Sequence, residues 1–229
     1  DSSTVIRSDL VSTNALTSSH DIKINDVAIG ASDSASAASK AIAINAVSSS
    51  TNVTASGSNL VTLDINIGEA SSASSNIKIN GNAINFSSVT NATETITAIN
   101  NASIGDIIAS VNSDGDVQLS SASGADIVIT HNGTAGVFID GHTDATGATV
   151  SVVGSGNSVT FKGQILLTHT AGDVIKISGD DVGELGFQAQ ASSSASVPGS
   201  IISVSSSSNA TNALTAVDTA IDSIANTRA

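Results

Sequence analysis

The chain has no cysteine, methionine, tryptophan or tyrosine, and one proline among its 229 residues. Without cysteine there are no disulfides, thiolate metal sites or cysteine nucleophile, which suits a protein that works outside a reducing cell and needs no bridges. Without methionine, Asp1 follows no initiator, so the chain reads as a fragment or a processed product. Aromatic residues make up 2% of the chain, four Phe in all, so any core must be built from Ile, Val, Leu and Ala. Such cores are light and suit small units strung together.

Basic residues are scarce as well. Seven Lys and Arg against twenty Asp and Glu leave a formal net charge of −13, which repels phosphate backbones and anionic membrane surfaces. Neither nucleic acid nor a membrane is an expected partner. No apolar run approaches the ~18 residues of a membrane-spanning helix, and the polar start DSSTVIRSDLVST is no secretory signal. Charged residues are only 12% of the chain, so solubility rests on Ser, Thr and Asn.

What the sequence does contain is a repeat. DIKIN at 21–25 returns as NIKIN at 76–80, an offset of 55 that also sets Ala43-Ile44-Asn45 on Ala98-Ile99-Asn100 and Val53 on Ile108. Each copy opens with a two-residue period, that of a half-buried strand, and Asn80-Gly81 is a favoured hairpin turn. Copy one carries Asp26 where copy two has Gly81, which leaves the geometry of its turn open. Ile22, Ile24 and Ile29 are expected in the core, and Asn25 in the turn.

A helix signal follows, with Asp33 as N-cap in copy one and Asn91 with Glu94 as a capping box in copy two. Ala37, Ala41 and Ile44, and likewise Ile96 and Ile99, fall on one helical face. A hairpin is expected next: NVTAS and LVTLDINI around Gly57 and Asn59 in copy one, DIIASV and VQLSS around Asn112–Gly115 in copy two. Each unit thus reads strand, strand, helix, strand, strand.

Beyond residue 116 the helical period gives way to short alternating segments at 126–130, 148–153, 158–161, 164–168 and 173–178. A second offset, 48 residues, aligns Leu119, Gly124, Ile127 and Ile129 with Leu167, Gly172, Ile175 and Ile177, as though the hairpin half of the unit occurred a third time. After Pro198, Leu214, Val217, Ile221 and Ile224 form one apolar helical stripe, whose packing partner is not in the sequence.

The fold class is therefore α+β and β-rich: tandem small modules, an antiparallel β region and a C-terminal helix. The expected divisions are a connector at 1–19, modules at 20–70 and 71–138, a β-rich module at 139–190, a returning linker or strand at 191–208 and the start of a helix at 209–229.

The closing segment NALTAVDTAIDSIANTRA resembles the start of the C-terminal helical region of bacterial flagellin, with its ALxxIDxAIxxIxxxRA pattern. The two IKIN…AIN units resemble the hook IN motif of flagellin variable regions, and FKGQILLTHTAGDVIKISGDDVGELGF resembles a hairpin ending in LGF from the same region. The resemblance implies the outer, hypervariable domains of a flagellin, extracellular on a bacterial filament. It also implies contacts with other flagellin subunits through core helices mostly outside this chain, and O-linked glycans on exposed Ser or Thr. A host receptor or antibodies are the other partners it suggests. The competing reading is a binding module, an adhesin domain or a hook-associated or filament-cap protein recognising glycans or another subunit.

The sequence assigns no catalytic, cofactor-binding or metal-binding residue, and no cofactor. His20, His131, His142 and His169 lack metal-ligand spacing and read as exposed turn residues; no HExxH motif is present. NSDGD at 112–116 and GDD at 179–181 lack the ligand pattern of a calcium loop and read as turns. No GxSxG elbow or nucleotide fingerprint occurs, and Gly154-Ser155-Gly156 reads as a turn. The Ser-rich runs at 71–75, 192–196 and 205–208 read as solvated loops, and Asn52-Val53-Thr54 is given no function.

Overall fold

A computed structural model describes residues 3–65, 67, 77–131, 139–147, 149–150, 157–169, 171 and 173–188. The Ser-rich runs, Gly154-Ser155-Gly156 and the apolar stripe at 214–224 lie outside the described residues. The described part is α+β and rich in antiparallel strands.

The opening hairpins form where the alternation places them, as β2 (Lys23–Ile24) with β3 (Val27–Ala28) and β5 (Ile77–Ile79) with β6 (Asn82–Ala83). Asn25 and Asp26 have φ of 49° and 65°, and Asn80 and Gly81 have 48° and 80°. Both turns thus have positive φ at both central residues, which matches strand twist. Asp26 takes the backbone conformation of Gly81, so the substitution does not alter the turn. Ile22, Ile24 and Ile29 are buried, as are Ile77, Ile79 and Ile84.

The helices follow as α1 (Ala37–Asn45), a single turn α2 (Ser48–Thr51) and α3 (Ala92–Asn101). The N-cap of α1 is Ser36, not Asp33: its hydroxyl accepts from the Ser39 amide at 3.2 Å, as the Asn91 carboxamide accepts from the Glu94 amide at 3.0 Å. Ser36 and Asn91 stand 55 residues apart, so the repeat itself marks the correct cap. Glu94 reaches back one residue further than a capping box requires, to the Thr90 amide at 2.7 Å.

The hairpin expected in copy one is absent. Residues 53–65 form one uninterrupted strand, β4 (Val53–Ile65), whereas copy two makes the expected hairpin from β7 (Ile107–Val111) and β8 (Val117–Ser121). The remaining strands are β9 (Ile127–His131), β10 (Ile139–Thr143), β11 (Thr149–Val150), β12 (Asn157–Phe161), β13 (Gln164–His169) and β14 (Ile177–Ser178), with a 3-10 turn at Val182–Leu185. The strand β1 (Thr4–Leu10) lies inside the expected connector and forms an edge of the largest sheet.

The pairing explains why β4 does not turn. Its first half, 53–58, pairs with β13, setting Ala55 opposite Leu167, as β7 pairs with β8 through Ala109 and Leu119. Its second half pairs with β8, setting Asn59 opposite Ser121, as β1 pairs with β13 through Thr4 and His169. Thr4 and Asn59 are 55 apart, and Ser121 and His169 are 48 apart. β4 is therefore two strands fused: the fourth strand-forming segment of one copy runs straight into the first strand of the next.

The 48-residue offset has the same origin. β14 pairs with β2 through Ile177 and Ile24, and β9 pairs with β5 through Ile129 and Ile79. Segments 164–169 and 177–178 are thus the second half of copy one rather than a third occurrence. The second copy is inserted between the two halves of the first. Strands from the expected 139–190 module are shared between the copies: β10 and β12 join the second, β13 and β14 the first.

Two hydrophobic cores result. One gathers Ile22, Ile24, Ile44, Val53, Leu167, Ile177 and their neighbours from 6–55 and 165–187; the other gathers Ile77, Ile79, Ile99, Ile107, Leu119, Ile129 and their neighbours from 61–161. The two cores share no residue. The offset slips to 54 within the strand after each helix, since Val53 corresponds to Ile107, which is buried, and not to Ile108, which is 59% exposed.

Candidate functional site

The most concentrated polar chemistry inside the described fold sits where the chain enters and returns through the first copy. Lys40, on the inner face of α1, is fully buried. Its Nζ donates to the Glu184 carbonyl at 2.6 Å, the Ser12 hydroxyl at 3.0 Å and the Ser12 carbonyl at 3.2 Å. The Ser12 hydroxyl in turn donates to the Glu184 carboxylate, which also accepts from the Asn14 side chain at 3.4 Å.

The three ammonium protons each have an acceptor, the condition under which a buried cation is tolerable. Burial lowers the Lys40 pKa from 10.5 to about 8, with Glu184 opposing the shift and Lys162 adding to it. Helical spacing had marked Ala37, Ala41 and Ile44 for the core, and all three are buried. Lys40, between them, was legible only as a position one turn before Ile44.

A second polar seam joins the copies. A Cβ on Gly57 would run into the Ser123 carbonyl, and one on Gly124 would come within 2.7 Å of the Gly57 backbone, so β4 and the turn after β8 touch backbone to backbone. Asn59 donates to the carbonyls of Ala125 at 2.9 Å and Phe161 at 2.8 Å. Lys162 pairs with Asp126 at 2.7 Å and donates to the Ala35 carbonyl at 3.2 Å, while the Ala38 amide donates to the Gly124 carbonyl. Gly57 and Asn59, read from sequence as a turn, are instead the place where one copy is stitched to the other.

The two acidic stretches form turns. Asn112 closes NSDGD by accepting from the amides of Asp114 at 3.0 Å and Asp116 at 2.8 Å, with Gly115 at φ 92°. Asp181 of GDD accepts from the Asp21 amide at 2.8 Å and anchors the returning chain on the start of the first hairpin. Asp106 is held by Ser121 and Ser123: burial raises its pKa, but hydrogen bonds from the Ser121 hydroxyl at 2.7 Å and the Ser123 amide at 2.9 Å leave it below the usual carboxylate value.

Three of the four histidines, His131, His142 and His169, lie in strands rather than turns. His131 and His169 are buried at the ends of β9 and β13, because the two-residue strand period carries their side chains to the inner face. His20 is half-buried in a turn, where its Nδ1 accepts from the Thr17 amide at 3.2 Å, and His142 lies in β10. His169 Nε2 lies 4.0 Å from the exposed Asp173. Among the described residues no three His, Asp or Glu side chains gather as a metal cluster, and no helix is long and apolar enough to cross a membrane. Asn52 is the left-handed cap of α2, with φ 55°.

These arrangements position chain segments: Lys40 and Asp181 tie the returning segment to the first copy, and Asn59 and Lys162 tie the copies together. No protein-family model matches the chain, and no curated protein matches it significantly.

Proposed function

We propose that the chain is a non-catalytic structural protein: the surface-exposed outer domains of a flagellin-type subunit on an extracellular filament. The resemblance of the IKIN…AIN units and of the closing segment to flagellin motivates the reading. One structural observation carries it further. The first copy is completed only by the returning chain, through β13, β14 and the 3-10 turn, and the second copy is inserted beyond it. An out-and-back path of this kind suits domains projecting from a filament core, since the outgoing and returning segments meet in one proximal unit. The acidic, hydroxyl-rich composition keeps neighbouring subunits hydrated.

Assembly under this reading belongs to core helices outside the projecting domains. The isolated chain is expected to sediment as a monomer at micromolar concentration. Antibodies raised against it are expected to decorate flagellar filaments of the source cells along their length in immuno-electron microscopy. Filaments formed by this chain alone, or labelling confined to the cell body, would overturn the proposal.

A further inference from the structure

An internally duplicated chain has a close competitor to its native state, one in which a segment joins the wrong copy. Here the apolar contacts barely distinguish the copies. Ile177 meets Ile24 as Ile129 meets Ile79, and Leu167 meets Ala55 as Leu119 meets Ala109, all in antiparallel ladders of the same register. Burying an isoleucine contributes about 1.5–3 kcal/mol in either core. The turns are the same, and the helix caps Ser36 and Asn91 are equivalent.

The copies differ at several buried places, Ser8 against Leu63 and His169 against Ser121 among them, and at one of them a buried charge stands where the other copy has a neutral side chain. Lys40 of α1 corresponds to Thr95 of α3, and both are fully buried. Thr95 satisfies itself locally, its hydroxyl donating to the Asn91 carbonyl at 3.0 Å. Ser12, which receives Lys40, stands 55 residues before Ile67, an apolar side chain packed against the second core; the β1–β13 register shifts between Arg7 and Leu10, so the two are related by sequence offset only. A buried donor that needs distant acceptors in one copy thus stands where the other has a hydroxyl satisfied within its own helix.

We propose that Lys40 specifies which copy the repeated segments join. Its ammonium is satisfied only where Ser12 of the entering chain and Glu184 of the returning chain converge on α1. Docked on second-copy partners, α1 would carry its buried cation away from Ser12 and Glu184. In the converse exchange, Thr95 would leave the Ser12 and Glu184 carbonyls without their donor. The first swap buries an unmet cation and the second leaves half-buried carbonyls without their donor, while the native pairing satisfies both. The charged groups around Lys40 are Glu184 on the 3-10 turn and the Lys162–Asp126 pair at the seam.

The test uses the full chain, which has no cysteine of its own. Ser178 natively lies opposite Lys23, and Lys78 opposite Thr130. In the pair S178C and K78C, a disulfide reports β14 joined to the wrong hairpin; in S178C and K23C, it reports the native join. Denatured protein is refolded under oxidising conditions and the bridges are mapped by mass spectrometry. With Lys40 present, the 23–178 bridge is expected to form and the 78–178 bridge to be rare. In the K40T background, which installs the second copy's Thr95, the 78–178 bridge is expected to rise at least tenfold. K40M, which keeps the side-chain volume and removes only the donors, is expected to raise it in the same direction. An unchanged 78–178 fraction in both backgrounds, with the 23–178 bridge still forming or lost altogether, would assign Lys40 a purely stabilising role and overturn the proposal.

Discussion

Asn45 and Ala55 hold each other by two hydrogen bonds, the Ala55 amide donating to the Asn45 carboxamide oxygen at 2.7 Å and the Asn45 amide nitrogen donating to the Ala55 carbonyl at 2.8 Å. Asn100 holds Ala109 in the same way, at 2.8 and 2.9 Å. Each clasp fastens the end of a helix to the strand beside it and replaces a missing ladder partner. Ala109 is buried and Ala55 half-buried, while both asparagines are exposed. N100A leaves two backbone groups of the buried Ala109 unmet and is expected to cost about 1–3 kcal/mol. N45A, with water to replace it, is expected to cost less than about 1 kcal/mol. Urea unfolding of the two variants, followed with a probe in each copy, checks the order, and equal costs would contradict it.

Lys40 gives the chain an alkaline signature. Its native pKa is about 8, and its unfolded value is 10.5. Below pH 8 both states hold the proton, and the native state bears the whole cost of burying it. Between pH 8 and 10.5 the unfolded state binds more protons than the native one, so stability rises with pH across that window and levels off above it. With no Cys or Tyr in the chain, the side chains titrating there are lysines. Stability measured from pH 7.5 to 10.5 is expected to climb in the parent protein and to stay flatter in K40M.

Gly57 and Gly30 should respond in opposite ways to the same change. G57A drives a methyl into the Ser123 carbonyl, and backbone on both sides leaves no flexible side chain to move; a cost of about 1–3 kcal/mol or more is expected. G30A meets open space and a φ that needs no glycine, so its effect should stay within about 0.5 kcal/mol. Thermal melts of the two variants settle the contrast.

The strand register makes a further pair of outcomes distinct. Ile107 points into the second core and Ile108 away from it. I107A is expected to cost about 2–5 kcal/mol, by cavity formation. I108S, on an exposed position, is expected to be near neutral. A large loss for I108S would restore the uniform 55-residue offset that the burial pattern rejects.

The opening hairpins, both main helices and β7, β8, β9, β12 and β13 were legible in the sequence, because each is set by local alternation and turn residues. The hairpin at Gly57 was misread for a physical reason. Glycine and asparagine between two apolar runs permit a turn, but whether the chain turns depends on what pairs alongside, and β13 and β8 take up the two halves of β4 end to end. β1 is not legible as a repeat because TVIRSDL and NLVTLDI share a similar pattern of exposure and Asp9/Asp64 but no other identical residue. Lys40 was hidden by its residue type: a lysine on an apolar face reads as the edge of the stripe until its acceptors, 28 and 144 residues away, are in view.

The nested duplication is the centre of this account, and Ser58 and Gln164, opposite each other at the end of the β4–β13 ladder, allow it to be tested by excision. Residues 59–163 are removed and Ser58 is joined to Gln164 through an Asn-Gly turn, which a two-residue hairpin accepts. Every residue of the first core lies at 6–55 or 165–187 and is retained. Amide exchange by NMR on the shortened chain is expected to show dispersed resonances with protected amides at the β4–β13 and β2–β14 pairings, at lower stability than the parent because the seam bonds to Gly124 and Lys162 are gone. Collapsed resonances and unprotected amides at those pairings would show that the first copy is not a unit, and would contradict the nested fold.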